Sequence, residues 1–511
     1  MKRARFTISW MTLVAVATSI IAFVLVLSMG QLAAAEVSKE ELKSISTPDK
    51  VNTSLGELKF FDGVPTDDTV KTVYDNLDRM RGTQVFLNTL GGASVYRLRA
   101  SSAEIGADKA NKVLISAQLL NSKSLYLTAN TSTLYVHWFL DTEIDGPTVI
   151  EIPPGMLGLI DDSWFRYVED LGVIGPDKGK GGKYLVLPPG YKGDVPSGYF
   201  VVRPKTFWTW AFVRGSIAKG LAPEVAVMKS KLKVYPLAKA KNPPKTEFID
   251  FSGKSYNTVS PNDFGFYEDL NQVIQKEPID SLDPETRGLV ASIGIVKGKP
   301  FKPDARMKKI LTEAVAIGNA TARAILFQPR DKGAYIYGRK SAWVMAYFAH
   351  DVFFEVDGAR NLDARTNFFY AYTGVSPAMA ETFPGKGSDY AIAFLDSKKQ
   401  PIDGAKNYKL HLPPNVPVNN FWAVTLYDTQ TRSQLQTSNP LPTLGSQTKG
   451  VKKNSDGSYD IYFGPKPPPG KKSNWLETVP GKAWFPILRM YGPLEPWIKK
   501  TWRPSEIELV Q

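Results

Sequence analysis

Short apolar runs separated by turn residues constrain the fold of this chain more than any other feature. Such runs occupy residues 124–127, 133–140, 183–187, 198–202 and 206–213, then 390–395, 408–412, 421–427 and 459–463. They are rich in aromatic and β-branched residues, which favour strands, and Pro-Gly or Asp-Gly pairs separate several of them. The pattern predicts antiparallel sheets that form a sandwich, a jelly roll or a related barrel.

Helical spacing marks two further segments. After a cap at Thr66-Asp67-Asp68, apolar residues recur from Val70 to Met80, and we expect Gly91-Gly92 to end that region. A second helix is predicted to begin near Asp304. The predicted fold class is therefore mainly β with helical connections (α+β), with two antiparallel β-sandwich or jelly-roll-like domains joined by a helical region.

The predicted domains follow from these segments. A β-rich domain covers residues 55–236, a helical and irregular connecting region covers 237–385, and a jelly-roll-like domain covers 386–505. At the N-terminus, Lys2, Arg3 and Arg5 precede an uncharged stretch at 10–29, and three alanines end at residue 35. Residues 1–35 therefore predict a signal peptide, or an uncleaved anchor as the alternative. Either way we expect the protein in the periplasm or on the outer face of the cytoplasmic membrane, with membrane contact only through this segment if it is uncleaved.

Composition excludes several kinds of chemistry. There are 0 cysteines and 3 histidines, so disulfides, thiolate zinc sites, iron–sulfur clusters and cysteine nucleophiles are ruled out. No metal site and no cofactor is predicted. The formal net charge is +13, and residues 171–245 hold 14 Lys and Arg against 3 acidic residues. This stretch could attract a polyanion, or its lysines could lie on a solvated strand edge. No nucleic-acid motif accompanies it, and no nucleic-acid partner is predicted.

One predicted strand carries polar groups that could line a cleft. Alternation places Thr133, Tyr135 and His137 on one face, next to Asn130 at the start of the strand. His137 could act as an acid, a base or a ligand, or it could be a hydrogen-bonded core residue. Asp162, next to another aspartate, is a second catalytic candidate that could bind a cation or manage protons, unless the pair caps a helix.

Two loops supply further candidates for ligand binding. In the glycine-rich segment 175–183, Lys178, Lys180 and Lys183 could hold an anion beside exposed N–H groups, although the spacing is not that of a phosphate-binding loop and a mobile hairpin would look the same. The C-terminal aromatic and basic segment could bind a sugar or an anion, or it could pin the terminus onto a sandwich. Its candidate residues are Lys466, Asn474, Trp475 and Arg489.

Several longer motifs carry a resemblance to a known pair of bacterial domains. Residues 60–66 (FFDGVPT), 73–78 (VYDNLD), 130–135 (NTSTLY), 175–184 (GPDKGKGGKY) and 187–191 (LPPGY) resemble domain of unknown function 1254. Residues 454–457 (NSDG), 463–466 (FGPK), 473–475 (SNW), 489–496 (RMYGPLEP) and 501–504 (TWRP) resemble its companion, domain of unknown function 1214. The resemblance implies an exported or envelope-associated two-domain protein, rich in β structure and forming homo-oligomers.

The resemblance leaves the activity open. Family members often carry an aspartate where this chain has Ser132, so a step that depends on that carboxylate would be missing here. We expect a protein that binds a polar or anionic small molecule, such as a carbohydrate, a phosphorylated compound or an envelope glycan. The alternatives are a hydrolase of phosphoesters or related anions, and a structural envelope component without a small ligand.

Overall fold

The structure is a computed structural model, and it describes residues 37–215, 217 and 220–510. The predicted signal peptide or anchor at 1–35 lies outside these residues. The chain divides into two compact units, Met1–Leu77 and Asp78–Gln511. The predicted domain boundaries at 236/237 and 385/386 both fall inside the second unit, and they stay a prediction.

The described part of the first unit holds a short helix and a small sheet. The side chain of Ser38 accepts a hydrogen bond from the Glu41 N–H and so caps the helix. The sheet is antiparallel, in the order β1-β2-β3. The elements are α1 (Lys39–Ile45), β1 (Lys50–Thr53), β2 (Gly56–Phe61), β3 (Val64–Pro65) and the start of α2 (Asp67–Glu104).

Ten strands follow α2 and form two sheets. One has six strands in the order β13-β4-β5-β11-β7-β8, and the other has four in the order β10-β9-β6-β12. The elements are β4 (Lys112–Ile115), β5 (Leu134–Asp141), α3 (Thr142–Asp145), β6 (Thr148–Ile152), β7 (Leu157–Asp162), β8 (Tyr167–Gly172), β9 (Gly182–Val186), β10 (Phe200–Val202), β11 (Trp208–Gly215), α4 (Leu221–Lys231), β12 (Lys233–Pro236) and β13 (Glu247–Asp250).

Alternation along β5 separates two cores. Leu134, Val136 and Trp138 pack in a cluster that the six-stranded and four-stranded sheets share. Tyr135 and Phe139 point to the opposite face and join a larger cluster. The predicted alternation of this strand is therefore confirmed, and its polar face turns towards the larger core.

Helices dominate the middle of the second unit. Helix α7 begins as predicted, because the Asp304 carboxylate accepts from the Met307 N–H at 2.7 Å. It is the one helix among the described residues long and apolar enough, by length and composition, to cross a membrane. Its buried side packs in the larger core through residues such as Leu311 and Val315. The elements are α5 (Gly265–Lys276), α6 (Pro284–Ser292), α7 (Ala305–Phe327), β14 (Trp343–Val344), β15 (Glu355–Val356), β16 (Ala359–Arg360), α8 (Leu362–Ala371) and α9 (Pro377–Ala380).

The last third of the chain forms a second pair of sheets. A five-stranded sheet has the order β14-β17-β23-β19-β20, a four-stranded sheet has the order β22-β21-β18-β24, and both contribute to one apolar cluster. The elements are β17 (Ser388–Ala393), β18 (Asn407–Leu412), β19 (Val418–Asp428), β20 (Thr443–Gly445), β21 (Tyr459–Gly464), β22 (Trp475–Glu477), β23 (Trp484–Pro493), α10 (Glu495–Ile498) and β24 (Glu508–Val510).

The larger core joins these two systems of sheets. It takes Trp210 and Phe212 from the six-stranded sheet, Ile392 and Ile487 from the five-stranded sheet, and apolar residues of α2, α5, α7 and α8. Each large sheet is therefore covered on both faces, by its smaller partner sheet and by this shared core. Two broad, aromatic-rich surfaces meet here, and the candidate site lies at their junction.

The structure confirms a chain rich in strands with helical connections and corrects two local predictions. Among the described residues the sheets do not close into a barrel, and the sheet orders do not establish a jelly roll. Residues 124–127 form no strand beyond an isolated bridge at Leu125, because they belong to a loop tied to distant segments. Gly91 and Gly92 do not end α2, which continues to Glu104.

The two glycines serve close packing. An added β-carbon at Gly91 would lie 2.6 Å from the Trp164 main-chain oxygen, and one at Gly92 would lie 2.7 Å from the Trp164 ring. Contact with Trp164 therefore outweighs the low helix propensity of glycine.

We predict that Gly91→Ala destabilises the protein by about 1–3 kcal/mol, because the new methyl group overpacks against a main-chain oxygen. The matched control is Gly288→Ala in α6, where an added β-carbon meets nothing within 4 Å. That change should stabilise by about 0.4–1 kcal/mol. Urea unfolding measures both; equal effects of the two substitutions would contradict the packing argument.

Candidate functional site

A small enclosed space, here called the central cavity, lies where the two large sheets face each other. Its volume is about 60 Å³. The six-stranded sheet contributes Tyr135, Trp210, Phe212 and Arg214. The five-stranded sheet contributes Tyr390, Ile392, Ile487 and Arg489. Loop 126–130 and residues of the connecting region, among them Tyr347, Phe368, Tyr372 and Met379, complete the wall.

Arg489 places a buried positive charge at this cavity. The residue is 5% exposed, and its guanidinium donates from Nη1 to the Tyr427 hydroxyl at 2.7 Å and from Nη2 to the Thr128 main-chain oxygen at 2.6 Å. It lies 5.6 Å from the ring centre of Tyr390 and 5.5 Å from that of Tyr427. No aspartate or glutamate of the described chain forms an ion pair with it. The charge therefore meets neutral acceptors and aromatic faces alone.

Arg214 brings a second guanidinium to the same wall. It lies on β11 directly opposite Tyr135 of β5, and its guanidinium is 6.0 Å from the ring centre of Phe212. The side chain is half-buried, and no described carboxylate forms an ion pair with it either. Neither arginine has an acidic partner, so the cavity carries an excess of positive charge.

The hydroxyl of Tyr135 adds a neutral donor. It accepts from the main-chain N–H of Asn130 at 3.0 Å and from the side-chain amide of Asn130 at 3.1 Å, so its own proton remains to be donated. Burial raises the pKa of Tyr135, so the phenol stays protonated. The side-chain Oδ1 of Asn130 accepts from the Ser132 N–H at 2.8 Å and from the Thr133 hydroxyl at 3.1 Å, which fixes the turn before β5. Ser132 is thus bonded to a residue of the cavity wall and is not itself part of the wall.

His137 does not line the central cavity. It is fully buried, its Nδ1 accepts from the Trp210 indole N–H at 3.3 Å, and its Nε2 has no partner among the described residues. Aromatic rings surround it, including that of Phe251 at 5.3 Å. Burial lowers the pKa of His137 to about 3, so the imidazole is neutral near pH 7.

Asp162 stabilises a turn at the end of β7, because both of its carboxylate oxygens accept hydrogen bonds there. Its Oδ1 accepts from the N–H groups of Trp164 and Arg166 at 2.8 and 3.0 Å, and its Oδ2 accepts from the Arg166 side chain at 2.7 Å. The alternative that this pair caps a helix is wrong, because both aspartates end a strand. Its neighbour Asp161 is also buried, and accepts from the Val375 N–H at 2.8 Å.

The glycine-rich segment is a loop that joins β8 of the six-stranded sheet to β9 of the four-stranded sheet, and a buried acid organises it. The hairpin alternative is wrong, because β8 and β9 do not pair with each other. Asp177 accepts from the N–H groups of Gly172 and Gly181 and from the Tyr184 hydroxyl, at 2.8, 3.0 and 2.5 Å. Lys178 and Lys180 are exposed at its surface. Lys183 is exposed as well and lies 3.5 Å from Glu151. These lysines lie outside the wall of the central cavity.

The C-terminal candidates separate into two places. The side-chain amide of Asn474 links neighbouring segments of the main chain. It accepts from the Lys452 N–H at 2.8 Å and donates to the main-chain oxygens of Lys452 and Asp460 at 2.8 and 2.9 Å. Trp475 donates from its indole to the Gly464 oxygen at 3.0 Å, and Lys466 is exposed. Arg489 alone of this group reaches the central cavity.

The structure thus brings together Asn130, Tyr135 and Arg489, with Thr133 bonded to Asn130. Sequence reasoning missed Arg214 and Tyr390, although alternation along their strands could have placed them on the faces of Phe212 and Ile392. Within the described residues no group of three or more His, Asp or Glu is placed to hold a metal ion.

A larger cleft of about 520 Å³ lies beside β4 and β5. Its lining holds four basic and four acidic residues, and two pairs of these are in contact: Lys112 with Asp108 at 2.8 Å, and Arg99 with Asp141 at 3.8 Å. Because its positive and negative charges are equal in number, it makes a weaker case for an anion than the central cavity does.

The family comparisons match the two systems of sheets. "Protein of unknown function (DUF1254)" matches residues 110–236, and "Protein of unknown function (DUF1214)" matches residues 387–495. The chain carries the DUF1254–DUF1214 pair. This confirms the pairing that the sequence motifs indicate. No curated protein matched the chain.

One solved structure supports the fold. The crystal structure of the VPA0106 protein from Vibrio parahaemolyticus aligns with a TM-score of 0.51 and 18% identity, covering 85% of this chain and 100% of that one. An uncharacterized protein from Burkholderia cenocepacia aligns with a TM-score of 0.38 and 13% identity, covering 86% of this chain and 96% of that one.

The central cavity is shared by the two family regions. Arg214 and Tyr135 come from the DUF1254 match, and Arg489 and Tyr390 come from the DUF1214 match. The connecting segment between the matches contributes Tyr347 and other rings. The candidate site therefore belongs to the pair of domains and not to either one.

We predict that His137 makes the protein sensitive to acid. An unfolded histidine has a pKa of about 6.5, whereas the folded value is about 3. Between these values the unfolded chain binds more protons, so the stability that His137 contributes above pH 6.5 is lost as the pH falls towards 3. The full effect is about 4–5 kcal/mol.

The measurement compares urea unfolding of the wild type and His137→Gln across this pH range, since a glutamine oxygen can still accept from Trp210. The variant should lose less stability on acidification. The quantity to compare is the change in unfolding free energy with pH in the variant minus that in the wild type. Burial raises the pKa of Glu277 to about 7, so this group stabilises the fold on acidification in both proteins, and its effect cancels in the comparison. Parallel pH profiles would show that His137 is not held neutral.

Proposed function

We propose that this protein binds a small anion in the central cavity, with Arg489 as the principal contact. The observation that carries the proposal is a guanidinium that is 5% exposed and has no acidic partner among the described residues. A buried charge is costly unless it is paired, and a buried arginine that lacks a carboxylate is poised to receive one from a ligand.

The donor set favours an anion over a neutral sugar. Two of the five N–H groups of Arg489 are used by Tyr427 and Thr128, which leaves donors for a ligand. Arg214 and the Tyr135 hydroxyl add further donors on the opposite wall. A planar guanidinium matches the geometry of a carboxylate or a phosphate group. We therefore infer a carboxylate or phosphate group as the part of the ligand that is recognised.

The residues at the cavity support binding more than hydrolysis. Among the described residues of its wall there is no aspartate, glutamate, histidine or lysine. General acid–base chemistry is most effective when the pKa of the catalytic group lies near the working pH. Burial raises the pKa of Tyr135 above its usual value, which moves this phenol away from that range. The hydrolase alternative would depend on His137 or Asp162, and these two side chains lie outside the wall.

We also propose that binding takes place outside the cytoplasm, in an oligomeric protein of the envelope. The basic and apolar character of residues 1–35 supports export, and the envelope supplies anionic glycans and small acids as partners. The shared apolar core of the last two sheets is compatible with a jelly-roll-like sandwich, which we retain as part of the proposal. N-terminal sequencing of the protein from fractionated cells tests export: a start near residue 36 is expected for a cleaved signal, and cytoplasmic protein that retains Met1 would contradict it.

We predict that Arg489→Met weakens the binding of benzoate and phenyl phosphate by about 10- to 100-fold, the loss expected when a charge-assisted hydrogen bond is removed. Methionine keeps much of the apolar volume. Isothermal titration calorimetry measures the affinity. Analysis of the phenyl phosphate recovered from the calorimeter's sample afterwards would reveal turnover. Unchanged affinity would refute the role of Arg489, and released phosphate would replace binding by hydrolysis.

The matched control removes three charges elsewhere. Lys178, Lys180 and Lys183, all changed to Gln, should leave the affinity within about twofold at 0.15 M salt, because exposed charges are screened over about 8 Å. If this variant loses binding and Arg489→Met does not, the anion is held by the glycine-rich loop and the central cavity is not the site. A circular dichroism spectrum of each variant checks that the fold is retained.

A further inference from the structure

A second space, here called the vestibule, adjoins the central cavity. Its volume is about 340 Å³. Ala346, Tyr347, Met379 and Tyr390 line both spaces. The ring of Tyr390 therefore borders the vestibule while its centre lies 5.6 Å from the guanidinium carbon of Arg489. The buried charge and the larger space thus have these four lining residues in common.

The vestibule is mainly apolar where it meets the four shared residues. Ile336, Met345 and Ile498 line it, together with the indole of Trp497. Asp389, the residue before Tyr390, is an acid that lines this space. Its carboxylate already accepts three hydrogen bonds: from the Trp497 indole at 2.8 Å, from the Thr382 hydroxyl at 3.0 Å and from the Tyr390 N–H at 2.7 Å. The remaining acidic and basic residues of its lining, His350, Glu381 and Lys500, are exposed. This space thus offers an apolar surface beside a buried positive charge.

We propose that the ligand is an organic acid with a hydrocarbon or aromatic body, bound with its acidic group at Arg489 and its body along Tyr390 and Met379 in the vestibule. This inference rests on the proposed function, since it specifies the ligand of the same site. It excludes inorganic anions and small, fully polar anions as the preferred ligands.

The dimensions of the two spaces support this assignment. A central cavity of about 60 Å³ takes an acidic group and little more. With the vestibule it reaches the size of ordinary small-molecule sites, about 300–1,000 Å³. Three of the four residues that line both spaces, Tyr347, Tyr390 and Met379, have side chains that can rotate. Met379 is flexible and unbranched. Burial of the body against these side chains supplies the apolar contact that a bare anion lacks.

The experiment compares acetate, butanoate and hexanoate by calorimetry on the purified protein. Each added methylene should strengthen binding about three- to fourfold, because it removes apolar surface from water. Arg489→Met should weaken every member of the series. A flat series that still depends on Arg489 would overturn the inference and leave the proposed function intact. Acids that bind with no dependence on Arg489, or that do not bind, would overturn both.

A second variant locates the body of the ligand. Met345→Ala should weaken hexanoate severalfold and leave acetate unchanged, because Met345 lines the vestibule and not the central cavity. The matched control is Met307→Ala, another half-buried methionine that packs against the same core away from both spaces. If Met345→Ala weakens acetate and hexanoate equally, or if Met307→Ala reproduces its effect, the body does not lie in the vestibule.

Discussion

The guanidinium of Arg489 binds two distant parts of the chain to each other. On one side it donates to the main-chain oxygen of Thr128, and on the other to the phenol of Tyr427, which itself donates to the oxygen of Ala129 at 2.7 Å. The Thr128 N–H in turn donates to the Arg432 oxygen at 2.8 Å. Loop 126–130 is thereby fixed against the five-stranded sheet. The position of Asn130, and through it the orientation of the Tyr135 hydroxyl, depends on this set of bonds.

The surroundings of Arg489 explain why a charge is tolerated there without an acid. Two neutral oxygens accept its hydrogen bonds, and the faces of Tyr390 and Tyr427 lie within 6 Å of it. Aromatic faces attract cations through their quadrupoles, most strongly where water is excluded. Such contacts hold the side chain in place and leave its charge unneutralised. Structural stability and attraction for an anion thus arise from the same arrangement.

Sequence patterns predicted most strands, for reasons of local geometry, but only three residues of the candidate wall: Asn130, Tyr135 and Arg489. The alternation of β5 correctly placed Tyr135 on the side of the larger core. It could not show that His137, two residues further on, would be enclosed by Phe251 and Trp210, because those contacts come from other segments of the chain. Arg489 was suggested by the unusual composition of its segment, whereas Arg214 was hidden in a basic stretch whose other charges lie mainly at the surface.

Long-range contacts also account for the two local predictions that were wrong. Gly91 and Gly92 have the composition of a helix end, yet the close approach of Trp164, more than 70 positions later in the sequence, keeps the helix continuous through them. Residues 124–127 have the composition of a strand, yet the Leu125 N–H donates to the Tyr256 oxygen and the loop that follows is held by Arg432 and Arg489. Neither partner can be inferred from the local pattern.

The division of the cavity wall between the two family regions has a consequence for a chain that is divided into two polypeptides. A gene split within the connecting segment would yield one polypeptide with Arg214 and another with Arg489, and each would expose one half of an aromatic core to water. Such halves would recover a complete wall only by reassociation. A complete cavity wall therefore requires both regions in one folded protein.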